Sequence, residues 1–188
     1  MKTRTLAALA LSTLAKFSGT APAAADPAPA ALYNKSILLA WTEHRVQRSD
    51  GGAIKKSTTN SDFAIYISSA GRLFSRFERR NSRSGRSNTS TLGPEGIAGF
   101  AGVGQGPRST RFEGGQLISD NKMRSGARRI LVEFDDQYRG CQLKIIYGKE
   151  GGAPLYHRAM DGRMYYILST EIVSPTCEIK DGYSFAAE

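Results

Sequence analysis

Two segments in which apolar and polar residues alternate constrain the fold most strongly, 129–134 and 141–147. Successive side chains of a strand point to opposite faces of the sheet, so Ile130, Val132 and Phe134 share one face. The inward set of the second segment is Cys141, Leu143, Ile145 and Tyr147. The polar stretch between the two segments is short, so the sequence predicts an antiparallel hairpin with one buried face.

The rest of the chain repeats this pattern of short strands bounded by turn residues. Further strands are predicted at 36–48, 53–56, 63–67, 73–77, 110–112, 116–118, 155–160, 163–168 and 177–179. No window has helical periodicity. The predicted fold class is all-β, a single antiparallel β-sandwich or barrel of about 8–10 short strands.

The Gly, Pro, Asn and Ser residues predict where turns and loops connect the strands. Asp50-Gly51 and Asp161-Gly162 predict two-residue hairpin turns, and Ser174-Pro175 predicts the end of a strand. Residues 58–61 and the arginine-rich stretch 79–91 predict surface loops, because they carry no apolar side chains with which to build a core. The glycine-rich segment 93–107 predicts an irregular connection rather than a helix.

The first 25 residues have the layout of a secretory signal peptide, with Lys2 and Arg4 before an apolar run and small residues before Asp26. A membrane anchor is the alternative, but the run is about half of the ~20 residues that span a bilayer. We therefore expect an exported protein, periplasmic or extracellular, without a transmembrane segment in the mature chain. Residues 26–31 predict a short linker and 32–188 a single domain.

Cys141 and Cys177 are the two cysteines of the chain. Disulfides persist in exported proteins, and neither cysteine has the close spacing of a redox motif or a zinc site. A structural disulfide is therefore expected, with a metal or redox pair as the alternatives.

The most distinctive charged feature is a group of six arginines accompanied by one acid, Glu78. They are Arg72, Arg76, Arg79, Arg80, Arg83 and Arg86. Removing the first 25 residues lowers the formal net charge of +9 by three, which leaves a moderately basic chain. Guanidinium groups bind phosphate and sulfate bidentately, so these arginines predict a surface for an anionic envelope component, an acidic polysaccharide or nucleic acid. The alternative is a solvated charged face.

Signals for catalysis are weak, and no cofactor is indicated. Gly102–Gly106 lacks the Gly-Lys-Ser/Thr of a phosphate-binding loop, and Ser119–Lys122 matches penicillin-recognising patterns without their Lys-Thr-Gly element. A metal site would need His44 or His157 to converge with Glu43 or Glu150, and a carboxylate pair would have to come from Glu133, Asp135 and Asp136. We predict a binding module, with a small periplasmic or secreted hydrolase as the alternative.

The aromatic residues suit a core or a ligand platform, and core packing is the commoner use. The set comprises Trp41, Tyr66, Tyr147, Tyr156, Tyr165 and Tyr166.

Three C-terminal stretches, 126–141, 148–152 and 161–165, resemble small uncharacterised exported proteins of Gram-negative bacteria. The resemblance covers roughly the C-terminal third of the chain. It implies export and a cysteine pair, and it implies no activity.

Overall fold

The computed structural model describes residues 25–85, 87–92, 105–123, 126–148, 156–158 and 162–184. Within these ranges the chain forms one short 3-10 turn, Ala30–Leu32, and ten strands. The strands are β1 (Lys35–Ser49), β2 (Ile54–Ile67), β3 (Leu73–Asn81), β4 (Ser87–Leu92), β5 (Gln105–Glu113), β6 (Gln116–Met123), β7 (Gly126–Phe134), β8 (Cys141–Tyr147), β9 (Tyr156–Arg158) and β10 (Met164–Asp181).

The strands build two antiparallel sheets that pack face to face. The six-stranded sheet has the order β4-β3-β2-β1-β10-β9, and the four-stranded sheet has the order β5-β6-β7-β8. Their inward apolar residues form one core, in which Ile37, Leu39 and Phe63 of the first sheet meet Leu117 and Val132 of the second. The all-β prediction is confirmed, and the sandwich is the form adopted.

The predicted central hairpin is confirmed as β7 and β8. Val132 pairs with Leu143 and Ile130 pairs with Ile145, which is the register that places all four on the inner face. Ile130 and Val132 are buried, whereas Leu143 and Ile145 are partly buried against the core.

The two cysteines form a disulfide with a Cα–Cα distance of 5.6 Å. Cys141 begins β8 in one sheet and Cys177 lies on β10 in the other. The bridge therefore joins the two layers of the sandwich, and the predicted structural disulfide is confirmed.

The segment 26–31, predicted as a linker, contacts the four-stranded sheet. The backbone N–H of Asp26 donates to the carbonyl of Phe112 at 3.0 Å, and its carboxylate accepts from the N–H of Gly114 at 2.8 Å. Ala28 is buried. The predicted signal peptide lies outside the described residues, apart from Ala25.

Two predicted loops are wrong, because their polar residues belong to strands. Residues 58–61 continue β2, where Thr59 and Ser61 face the interior and are buried. Residues 79–85 form the end of β3 and a turn, and residues 87–91 belong to β4, with Arg80 paired to Ser87 across the hairpin. Backbone hydrogen bonds hold an edge strand without needing apolar side chains on it.

Two predicted breaks also differ from the structure. Asp50-Gly51 opens a longer loop, 50–53, in which Gly52 adopts a φ of 83°. Ser174-Pro175 does not end β10 but lies in a bulge opposite Trp41, since the register moves from Ala40–Thr176 to Thr42–Val173. A bulge tolerates proline because the ladder lacks a bond there.

The other predicted hairpins are confirmed where they are described. Gly114 and Gly115, both with positive φ, connect β5 and β6. β9 pairs with the start of β10, as predicted. The two-residue turn predicted at Asp161-Gly162 is wrong, because Arg158 pairs with Met164 and five residues separate them; Gly162 has a φ of 81°. Most of the predicted irregular segment 93–107 lies outside the described residues, and β5 begins at Gln105.

Candidate functional site

The structure does not gather the six predicted arginines into one patch. Arg72 lies beside the β2–β3 turn, whereas Arg80 and Arg83 lie at the far end of β3, roughly 26 Å away at the rise of a strand. Arg79 faces the interior of the sandwich, where it bonds to Glu43. Arg86 lies outside the described residues.

Arg76 lies in a groove on the outer face of the six-stranded sheet. The groove has a volume of about 530 Å³, and its apolar floor includes Leu38 and Ala64. Three carboxylates, Asp62, Glu78 and Glu178, also line it. Burial and the neighbouring Glu78 raise the pKa of Asp62, although Arg80 opposes the shift. This region is therefore too acidic to attract a polyanion.

Beyond the groove, the sheet ends in a basic surface, for which the sequence predicted Arg80 and Arg83 but not Arg48 and Lys56. Arg80 and Arg83 of the β3–β4 hairpin are exposed, and so are Arg48 and Lys56 of the β1–β2 hairpin. β1 and β3 run in the same direction, so both hairpins lie at the same end of the sheet. We call Arg48, Lys56, Arg80 and Arg83 the basic end. Arg80 also pairs with Glu78 at 3.2 Å. The pairing of adjacent hairpins is the signal that could have found this surface.

The interior at this same end of the sandwich is polar. On the four-stranded sheet, Asn121, Arg128 and Tyr147 are neighbours across β6, β7 and β8. From the six-stranded sheet, Glu43 bonds to Tyr147, and Trp41 lies beside the guanidinium of Arg128. The interior of the sandwich therefore divides into an apolar half and a charged half.

Glu43 is the centre of the charged half and is 1% exposed. Its Oε1 lies 2.5 Å from Nη2 of Arg45 and 3.0 Å from Nη2 of Arg79, and its Oε2 accepts a hydrogen bond from Tyr147. Burial by itself raises the pKa of Glu43. The guanidinium groups of Arg79, Arg45 and Arg128, together with the bond from Tyr147, outweigh burial and hold the pKa below its usual value.

Tyr147 remains a proton donor in this environment. Burial and the adjacent carboxylate of Glu43 raise the pKa of the Tyr147 phenol, although Arg128 opposes them. The protonated phenol donates to Glu43, and this bond connects the two sheets.

Arg128 lies deepest in the charged half and is 1% exposed. Its guanidinium carbon lies 4.5 Å from the ring centre of Phe77 and 5.6 Å from that of Trp41. Burial lowers the pKa of Arg128, while Tyr147 and Glu43 act in the opposite direction. The Tyr147 hydroxyl lies close enough to interact with this guanidinium, but among the described residues none accepts a well-aligned hydrogen bond from its Nε, Nη1 or Nη2.

Other buried polar atoms around Arg128 also lack acceptors or donors within the described part of the chain. They include Nε and Nη2 of Arg45, Nε of Arg79 and both side-chain amide atoms of Asn121. The contact of Arg45 Nη2 with Glu43 is therefore an ion pair without hydrogen-bond alignment. The described cluster therefore holds three guanidinium groups and one carboxylate, with unused hydrogen-bonding groups facing inward. We call Glu43, Arg45, Arg79, Arg128 and Tyr147 the arginine cluster.

The weaker sequence candidates are not brought together by the described residues. His44 points away from Glu43 on β1, and its Nδ1 is 2.9 Å from the hydroxyl of Thr58 at the surface. No group of three or more potential metal ligands occurs in the described ranges. Asp135 accepts three backbone N–H bonds within its own turn, which lower its pKa. The hydrolase alternative stays a prediction.

The predicted aromatic set is divided between the core and the surface. Trp41 is buried, with its ring centre 5.9 Å from that of Phe77. Tyr156 and Tyr166 are exposed.

Comparisons with protein-family models, curated proteins and solved structures return no match for this chain. In the ranges described by the structure, no helix is long and apolar enough to cross a membrane.

Proposed function

We propose that this protein is an exported binding protein that retains a linear polyanion, such as an acidic polysaccharide of the cell envelope, at its basic end. The signal-like first 25 residues and the disulfide support export. A nucleic acid carries the same repeating negative charge and is the competing partner.

The observation that carries the proposal is a row of exposed cations on two neighbouring hairpins. The row extends about 20 Å along the strands, from the level of Arg48 to that of Arg80. Arg48, Lys56, Arg80 and Arg83 come from four different points of the sequence and reach the same end of one sheet. A strip of cations on a rigid sheet suits a partner with regularly spaced charges, since each cation that neutralises a charge displaces counterions from the polymer.

The test is retention on an acidic polysaccharide resin and on duplex DNA over a range of salt concentrations. Replacing all four residues of the basic end by Ser is expected to abolish retention at physiological salt. On duplex DNA the magnitude of the log–log salt slope should fall by about 3.6, at about 0.9 for each of the four phosphates that the variant no longer neutralises.

The matched control removes the same number of charges from other exposed positions. It carries Arg72→Ser, Arg139→Ser, Lys144→Ser and Lys180→Ser. Equal losses of retention in both variants would mean that net charge, and not the basic end, causes retention. Absence of salt-dependent retention of the unmodified protein on both polymers would refute the proposed function.

A further inference from the structure

We propose that the arginine cluster is a binding site for a phosphate group, formed inside the sandwich and separate from the polyanion surface. Arg128 carries the argument. A guanidinium group has five N–H donors, and its transfer out of water is costly unless those donors are bonded and the charge is compensated. Two aromatic rings flank it, but rings do not satisfy N–H groups in the way that oxygen acceptors do.

The arginine cluster has more positive than negative charge. Glu43 is shared by Arg45 and Arg79 and also accepts from Tyr147, so its oxygens are already engaged. Three guanidinium groups against one carboxylate leave a formal surplus of two positive charges among the described residues. Water would bond to the free donors but would leave the surplus of positive charge unchanged. An anion would bond to the donors and also reduce the surplus.

A phosphate group fits this surplus better than a single carboxylate. A phosphate monoester carries a charge of about −1.5 to −2 at neutral pH and offers three strong acceptor oxygens. Guanidinium groups bind such oxygens bidentately. Asn121 of β6 is paired with Arg128 of β7, and its buried side-chain amide supplies a further donor.

Two arginines of the cluster are partly exposed to solvent. The side chain of Arg45 is 10% exposed and that of Arg79 is 20% exposed, whereas Glu43 is 1% exposed. These two residues therefore form the rim and Arg128 the floor. The basic end lies at the same end of the sandwich and would attract anions toward the rim.

The test is calorimetric titration of the full mature protein with inorganic phosphate and with glycerol 3-phosphate, in chloride buffer at constant ionic strength. Saturable binding of one equivalent is expected. Tighter binding of inorganic phosphate would indicate the free ion as ligand, and tighter binding of the ester would indicate a phosphorylated headgroup. Absence of saturable binding for both probes would overturn the proposal.

Rim variants locate the site without disturbing its floor. Arg45→Gln and Arg79→Gln are each expected to weaken binding at least tenfold, whereas Arg80→Gln and Arg83→Gln, on the basic end, should leave it unchanged. Thermal unfolding of each variant verifies that it is folded. Binding by both rim variants with the affinity of the unmodified protein would place phosphate elsewhere and refute the site.

The outcome is separable from that of the proposed function. The Ser variant of the basic end is expected to lose polysaccharide retention and to keep phosphate binding. If that variant loses phosphate binding while Arg45→Gln keeps it, phosphate binds at the surface and the interior site is wrong.

Discussion

Replacing Glu43 by Gln isolates the contribution of one buried carboxylate to the charged half of the interior. Gln is nearly the same size, so the change removes the negative charge without opening a cavity. It removes the counter-charge of Arg79 at 3.0 Å and of Arg45 at 2.5 Å, and it replaces the acceptor of the Tyr147 hydroxyl.

The expected loss of stability is large because Arg128 stays fully buried and Arg45 and Arg79 stay mostly buried. Removing one member of a buried ion pair costs about 3–5 kcal/mol, since the remaining charge is left uncompensated in a medium of low polarity. For a domain of this size 1 kcal/mol shifts the melting temperature by about 2–4 °C, so we expect a decrease of roughly 6–20 °C. The measurement is urea unfolding together with calorimetry at pH 7 in phosphate-free buffer.

The pH dependence gives a second readout. The pKa of Glu43 in the folded state lies below its usual value of 4.5, so its carboxylate stabilises the fold above that pH. The stability difference between the unmodified protein and Glu43→Gln should persist at pH 5 and shrink as the pH falls below 4.5 toward the folded pKa.

An exposed carboxylate serves as the control. Glu178 is 61% exposed and pairs with Lys180 at 3.3 Å, and Glu178→Gln should change stability by less than ~0.5 kcal/mol. The free energy of unfolding of Glu43→Gln could instead lie within about 1 kcal/mol of that of the unmodified protein. In that case groups other than Glu43 compensate the positive charge of the cluster, and the reasoning about its charge surplus fails.

Two further predictions concern stability. Reducing the Cys141–Cys177 bridge, which closes a separation of 36 residues, should cost about 4 kcal/mol in the chain-entropy model, measured as urea unfolding with and without reductant; an unchanged midpoint would show that the bridge does not restrain the unfolded chain. Asp62→Asn should stabilise the protein at pH 7 and leave it unchanged below pH 3, because the raised pKa of Asp62 means that its ionised form is disfavoured in the fold; calorimetry at the two pH values checks this, and a destabilised variant at pH 7 would contradict it.

Much of the β architecture can be predicted because strand periodicity is a local property. The alternation of Ile130, Val132 and Phe134 requires no knowledge of the partner strand to show which side is inward. The cysteine pair is likewise predictable, since few arrangements are possible with two cysteines. Glycine-rich connections such as Gly114-Gly115 mark hairpins by their backbone requirements alone.

The two wrong loop predictions share one physical cause, which is that a polar residue in a sequence is assigned to solvent. Thr59 and Ser61 fall in a predicted loop, yet they belong to β2 and face the charged half of the interior. Arg79 falls in a predicted surface loop for the same reason. Whether a polar side chain faces inward depends on the residues that the opposite sheet places against it. Here those residues are Arg128 and Tyr147, which are distant in sequence from Thr59, Ser61 and Arg79.

The sequence by itself therefore determined the all-β class, the inward face of the central hairpin and the disulfide, because each depends on neighbours along the chain or on residue identity. Only the tertiary structure decided that the arginines of one segment separate into a surface pair, a groove residue and a buried ligand of Glu43. It also placed Arg48 and Lys56 at the same end of the sheet as Arg80, and Arg45 and Arg79 opposite Arg128. Sheet order and layer packing set these distances, and they are relations between strands that no single segment encodes.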